Sequence, residues 1–441
     1  MAEIQPFKGL RYNTKKVDLK DIITEPYDRI TPAMQEDYYR RSPYNIVRII
    51  LGKDSDPENP EKDKYKRADI FLEKWEKEGI FIREAKEALY VYDQEYVVNG
   101  AAKKRRGLIA RVKLEEFASR KVLPHEKTFP KHKEDRLRLL RATNTNTEQV
   151  FLLFIDDDKK VGQAIERALK NAGLAAEVRD EDGFQHRLWV INDGKDISRI
   201  QEAMAEKVLI IADGHHRYET SLNYRAEMLQ KLRAARGDEP FNYIMMTLFD
   251  LHDPGLVILP TFRLAKGLEK LSEEGFKALF AENFEISEVD WSSPADKATL
   301  NKVRAKIETE SHTFGACLAG AKKIHLLRLK SEGLLDKEVD PGKSSAWKRL
   351  DVAILHSLII DKLAAFTEKP FVQDEQVGYI RNLDEGLKKV ADGEWQIIFV
   401  LKPCSLQQIR QVVEKGELMP HKSTDFYPKL KSGLVLNPLE D

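Results

Sequence analysis

"VLIIADGHHRYETSLNYRAEML", from Val208 to Leu229, runs five apolar residues into a glycine turn, two histidines and an arginine. Val208 to Ala212 read as a short buried strand. From His216 onward, Leu222, Ala226, Leu229 and Leu232 recur on one face of a helix, which predicts a core-packed stripe. The turn between them is Asp213-Gly214-His215. Gly214 permits a tight fold or the close approach of a ligand, and the next N–H groups lack intrahelical partners. Those groups, the positive end of the helix dipole and the Arg217 fork make an anion site suited to phosphate. The same residues also describe an ordinary helix start, with Asp213 as N-cap and Arg217 on the surface. Zinc is the poorer reading, because adjacent His215 and His216 cannot share one helix face and no third ligand has a recognisable spacing.

Outward from this junction, short strands alternate with helices. "KEDRLRLLRAT" predicts a helix, "NTNT" a polar break, Val150 to Ile155 a strand, "VGQAIERALKNAG" a helix, "FQHRLWVIN" a strand and "ISRIQEAMAE" a helix. Nearer the N-terminus, Gly52 to Arg67 is a hydrophilic loop, and a helix carrying Trp75 stops at Gly79. "EALYVYDQEYVV" and "RGLIARVKLEEF" then form a hairpin, with the basic run Lys103 to Arg106 at its tip as a solvated turn. Beyond Phe241 come the strand "YIMMTLFDL", several helices and a last unit from "WQIIFVLKP". This alternation points to a mixed α/β (α/β or α+β) fold and excludes a bundle or sandwich. Boundaries are expected near 116 and 250, giving regions 1–115, 116–250 and 251–441.

With 441 residues, 42% of them hydrophobic, the chain has room for two or three domains. Lys+Arg and Asp+Glu both total 73, so charge supplies no reason to expect a nucleic-acid or membrane partner. Cys317 and Cys404 have no CxxC spacing, which fits a reducing cytoplasm. "MAEIQPFKGLRYN" has no apolar run, so neither export nor membrane insertion is expected. Oligomeric state is not readable from the residues.

"ADGHHRYE" resembles the signature turn of the ParB/sulfiredoxin-like superfamily. More specifically, the chain resembles a long family first catalogued as a domain of unknown function and since associated with free-serine kinases that use inorganic pyrophosphate. The landmarks are "PFKGLRYN", "EPYDRITP", "RSPYNIVRI", "PHEKT", "DRLRLLRAT", "ADGHHRYET" and "GELMPHKSTDFYPKLKSGL", in that order along the whole chain. Sulfiredoxin chemistry is excluded, because its cysteine is replaced by His215. A ParB-like nucleotide- or DNA-binding regulator stays as an alternative, although the neutral sequence shows no obvious footprint for it.

The resemblance implies phosphorylation of free L-serine to O-phosphoserine, with small-molecule substrates and Mg2+. It aligns Glu126 with the general base. A carboxylate of ordinary pKa, about 4.3, is ionised at neutral pH and can take a proton. His125 orients Glu126 or caps the turn. Asp213 either accepts a hydrogen bond from the turn or ligates Mg2+. The donor phosphates are expected at Gly214, His215, His216 and Arg217, with Lys422, Ser423, Thr424 and Lys429 as a second half-shell. Arg141, Thr143 and Asn144 are candidates for the serine carboxylate, unless Arg141 lies on a solvated helix face. "MPHKSTDFYPKL" reads as too polar for core, and so as a loop folded over the active site or docking two domains. Pro26 to Asp28 line the cleft without an assigned role. Pyrophosphate is favoured as donor, since lysines and hydroxyls suffice to surround it, whereas ADP or ATP needs an apolar slot.

Overall fold

The computed structural model describes residues 3–55, 63–126, 133–232, 234–291, 293–294 and 296–440. The chain is mixed α/β and divides into two compact units. The first holds the described parts of Met1–Pro124, Thr128–Val257 and Pro428–Asp441; the second holds Ile258–Tyr427 with His125 and Glu126. Of the "PHEKT" motif, Lys127 and Thr128 lie outside the described residues, as do positions 56–62 of the expected hydrophilic loop.

Among the described residues, nine strands of the first unit make one sheet. Its order is Val122–Pro124, Leu209–Asp213, Val150–Phe154, Tyr243–Asp250, Ala101–Lys113, Leu89–Val98, Gln185–Ile191 and Gly173–Arg179, with Ile4–Gln5 paired to Ala101–Lys113. Tyr243–Asp250 bonds to Ala101–Lys113 on one side and to Val150–Phe154 on the other. Residue 116 is therefore interior to one unit, because strands on both sides of it share a ladder. The border between units falls instead at Val257, with a return at Pro428.

The period of two in Leu89–Val98 sends Leu89 and Val91 to one face, where Leu108, Ala110, Val161, Ile165, Ile200, Met204 and Tyr218 complete a core. Tyr90, Tyr92 and Gln94 point the other way and are also buried. N- and C-terminal segments cover that second face: the Gly9 N–H donates to Tyr90 Oη at 2.8 Å, and Gln94 Nε2 donates to the Lys429 carbonyl at 3.1 Å. The hairpin turns at Asn99-Gly100, both with positive φ, as a tight two-residue loop requires. The basic run is consequently not at the tip but within the strand. Arg105 is fully buried, bonded to Gln94 Oε1 and the Pro428 carbonyl, and Arg106 pairs with Asp93.

The second unit carries a six-stranded antiparallel sheet, in the order Phe284–Asp290, Lys323–Leu329, Thr313–Leu318, Ile397–Val400, Phe262–Ala265 and Val377–Ile380. Helices Glu273–Phe280, Lys297–Thr309 and Leu383–Ala391 bury Phe276, Phe280, Leu300, Val303, Leu387 and Val390. Among the described residues, no helix of the chain is long and apolar enough to cross a membrane.

Candidate active site

The strand Leu209–Asp213 hands over to the helix His215–Lys231 through Gly214, whose φ of 88° is open to glycine and strained for other residues. The Gly214 N–H donates to Asp213 Oδ1 at 2.9 Å, so Asp213 closes the turn on itself. Its other oxygen, Oδ2, lies 3.1 Å from Lys429 Nζ. Burial opposes ionisation of Asp213, but the Lys429 ammonium and the Arg217 guanidinium hold its carboxyl well below the usual range. With one oxygen on the turn and the other on an ammonium, Asp213 does not fit direct Mg2+ ligation: a dication would have to displace Lys429 and stand beside Arg217.

Arg217 donates from Nη1 to the Gln149 carbonyl. Burial works against its charge, yet the carboxylates of Glu148, Asp213 and Asp28 raise its affinity for the proton. His215 is buried and His216 half-buried in the same first turn. Glu148 accepts the Tyr27 N–H at 3.0 Å and the Ser432 hydroxyl at 2.9 Å, and Arg136 stacks 4.0 Å over the Tyr27 ring. Burial pushes the Tyr27 hydroxyl up to about 12, so it stays protonated beside these charges. Pro26 to Asp28 thus belong to this charged grouping.

Lys431 continues the same segment into the interior at 2% exposure, its Nζ 2.6 Å from Glu25 Oε1 and 3.0 Å from Asp180 Oδ2. Most of the stretch after Ser423 is buried, which corrects the expectation that it is too polar for core. Its lysines enter because carboxylates from distant parts of the chain neutralise them.

In the second unit, Glu126 Oε1 accepts the Lys422 N–H at 2.8 Å and lies 3.0 Å from His421 Nδ1. Lys422 adopts a left-handed φ of 55°, and its carbonyl accepts from Arg263 Nη2 at 3.0 Å. Burial pushes the Arg263 guanidinium down to about 10. His125 Nε2 pairs with Thr424 Oγ1 at 2.7 Å. Ser423 donates its hydroxyl to the Pro420 carbonyl, leaving the Lys422 ammonium as the exposed cation of that loop. Of the expected second half-shell, Lys422 bonds Glu126 and Thr424 pairs with His125 within the second unit, and Lys429 pairs with Asp213 within the first.

Within the first unit, Arg141, Thr143 and Asn144 bond partners other than Asp213 and Arg217. Arg141 forks onto Glu227 at 2.6 and 3.0 Å on a solvated helix face, the Thr143 hydroxyl donates to the Leu139 carbonyl, and Asn144 Nδ2 donates to the Leu439 carbonyl. The stripe of the helix His215–Lys231 is also rotated from expectation. Tyr218, Ser221 and Tyr224 are buried, whereas Leu229 and Leu232 are 37% and 40% exposed. Sequence reasoning missed Arg136, Glu148 and Thr220, although Arg217, Thr220, Ser221 and Tyr224 follow a helical spacing that could have revealed a polar buried face. Elsewhere among the described residues, Glu273, Glu288 and His325 could hold a metal ion, but Lys277 and Lys323 bond Glu288 there.

Three solved structures show distant likeness. A conserved hypothetical protein from Pyrococcus furiosus is 16% identical, covering 71% of this chain and 92% of that one at TM-score 0.32. A free serine kinase in complex with AMP is 15% identical, covering 71% and 89% at TM-score 0.33. SbnI with a C-terminal truncation, from Staphylococcus aureus, is 11% identical, covering 76% and 89% at TM-score 0.36. Scores so low carry no argument about this chain. No curated protein matches it. A family model does match residues 4–353, well over half of the sequence, and the chain belongs to the family described as Protein of unknown function (DUF1015).

Proposed function

We propose that the protein is a free-serine kinase that transfers a phosphoryl group to the L-serine hydroxyl, with inorganic pyrophosphate as donor. The observation that carries this reading is the helix N-terminus at His215, where Arg217 and Lys429 flank an Asp213 carboxylate that closes the turn. The positive end of a helix dipole and two cations suit a compact polyanion. In the reaction, the serine oxygen forms a bond to phosphorus as the bridging P–O bond of the donor breaks. Phosphate leaves, and the hydroxyl proton passes to the Glu126 carboxylate and then to solvent. Glu126 suits that role because a backbone N–H from Lys422 fixes its orientation at 2.8 Å. Mg2+ belongs to this proposal as a companion of the donor phosphates, whose charge it neutralises; it is not assigned to Asp213.

The test is a donor panel of pyrophosphate, ADP and ATP, at fixed serine and Mg2+, read as phosphoserine formed. Pyrophosphate is expected to turn over fastest. Faster turnover with a nucleotide would overturn the donor and keep the kinase, while no phosphoserine with any donor would overturn both.

A further inference from the structure

Behind Arg217 the first unit contains a cavity of about 40 Å3, lined by Arg136, Glu148, Arg217, Thr220 and Ser221 against Leu139, Leu140 and Ile244. That space is about three waters in size, comparable to the head group of an amino acid. Thr220 is 3% exposed, and its Oγ1 has no hydrogen-bond partner among the described residues. A buried hydroxyl left without a partner is destabilising, so a chain that retains one at a polar cavity has a group ready for a ligand.

The charges around it are of both signs. Glu148 commits Oε1 to Tyr27 and Ser432, while among the described residues Oε2 faces Arg136 Nη1 at 3.6 Å. That oxygen is placed to accept from an ammonium. Arg217 and the Thr220 hydroxyl, one helical turn apart on the same face, can donate to a carboxylate. A simple anion would be opposed by Glu148, and a simple cation by the two arginines. A zwitterion satisfies both.

We infer that this cavity binds the α-ammonium and α-carboxylate of a small free amino acid, with Glu148 on the ammonium and Arg217 with Thr220 on the carboxylate. The identity of that amino acid as serine rests on the kinase reading; the head-group site does not. It replaces Arg141, Thr143 and Asn144 in that role.

The experiment is calorimetric titration of the full chain with L-serine and with L-alanine, which has no hydroxyl to phosphorylate, in the wild type and in Thr220→Val. Because valine is near in shape and leaves nothing unpaired, the variant should melt at the same temperature or higher. Both amino acids are expected to bind the wild type, and the variant about tenfold more weakly. Equal affinity in variant and wild type, or no binding of either amino acid to the wild type, would overturn the cavity. Alanine binding that is weakened in the variant, together with no phosphoserine from any donor, would support the cavity and reject the kinase. A Glu148→Gln variant adds a second reading, in which amines lose affinity while glycerate, which lacks the ammonium, does not.

Discussion

Lys429 Nζ lies 3.1 Å from Asp213 Oδ2, joining a residue near the end of the chain to the strand-helix turn at its middle. The Lys429 backbone is held by Gln94, and the preceding carbonyl by Arg105, so the ammonium is delivered by a fixed segment. The contact explains how a carboxylate that is three-quarters buried remains ionised.

Lys429→Met is expected to cost about 1–3 kcal/mol at neutral pH. Asp213 has its folded pKa depressed, so its contribution is present above the unfolded value of about 4 and is lost as pH falls through the folded one. The difference between variant and wild type should therefore be constant above about pH 5 and shrink in acid. Urea denaturation at neutral and acidic pH measures it; a difference independent of pH would show that Lys429 acts by packing alone.

For Glu126→Gln, the amide oxygen can still accept the Lys422 N–H, but the side chain cannot take a proton. The fold and donor binding should survive while turnover falls about 100-fold or more. Single-turnover kinetics with the donor saturating read the chemical step directly. Undiminished chemistry would move the base elsewhere, with His421 the next candidate by proximity.

Arg217→Lys keeps the charge and loses the planar fork that bonds the Gln149 carbonyl and lies against Gly214 at the helix start. Donor affinity is expected to fall about tenfold, measured by competition between pyrophosphate and a product phosphate. An unchanged affinity would place the donor away from this turn.

Arg141→Ala removes a fork from a solvated helix face and should cost less than about 1 kcal/mol, with the Michaelis constant for serine unaltered. A raised constant without loss of stability would return Arg141 to the substrate.

Lys431→Met strips the ammonium from between Glu25 and Asp180, where Lys431 is 2% exposed and Asp180 1%. Leaving buried carboxylates unpaired costs about 3–5 kcal/mol. In the wild type, Asp180 is held well below the usual range against its burial, by His186 and then Lys431, so its stabilisation holds at neutral pH and is lost only in strong acid. Without Lys431 the carboxylates protonate more readily. The deficit in melting temperature should therefore narrow from pH 7 toward pH 4; a constant deficit would mean that His186 alone keeps Asp180 ionised.

The strand-turn-helix at Asp213 was legible because hydrophobic period and glycine placement are local properties, and the structure has the strand at Leu209–Asp213 and the helix at His215–Lys231. The hairpin was legible in its strands but not at its tip. Lys103 to Arg106 look solvated in one dimension, while Arg105 is buried because the C-terminal segment crosses that face and supplies a carbonyl. The helix stripe was misread for the same reason. Leu229 and Leu232 follow the apolar rule, but the inward face carries Arg217, Thr220 and Ser221, and the Arg217 charge is met there by Glu148 and the Gln149 carbonyl on other elements.

By itself the sequence determined the mixed α/β class, the order of most strands and helices, and the strand-turn-helix at Gly214, since each depends on residues within a dozen positions of one another. Tertiary structure alone decided that one sheet crosses residue 116, that Lys429 joins Asp213 while Lys422 joins Glu126, and that Arg136, Glu148 and Thr220 enclose a polar cavity. Those outcomes depend on which charges meet, and a buried charge is stable only with partners that local pattern cannot reveal.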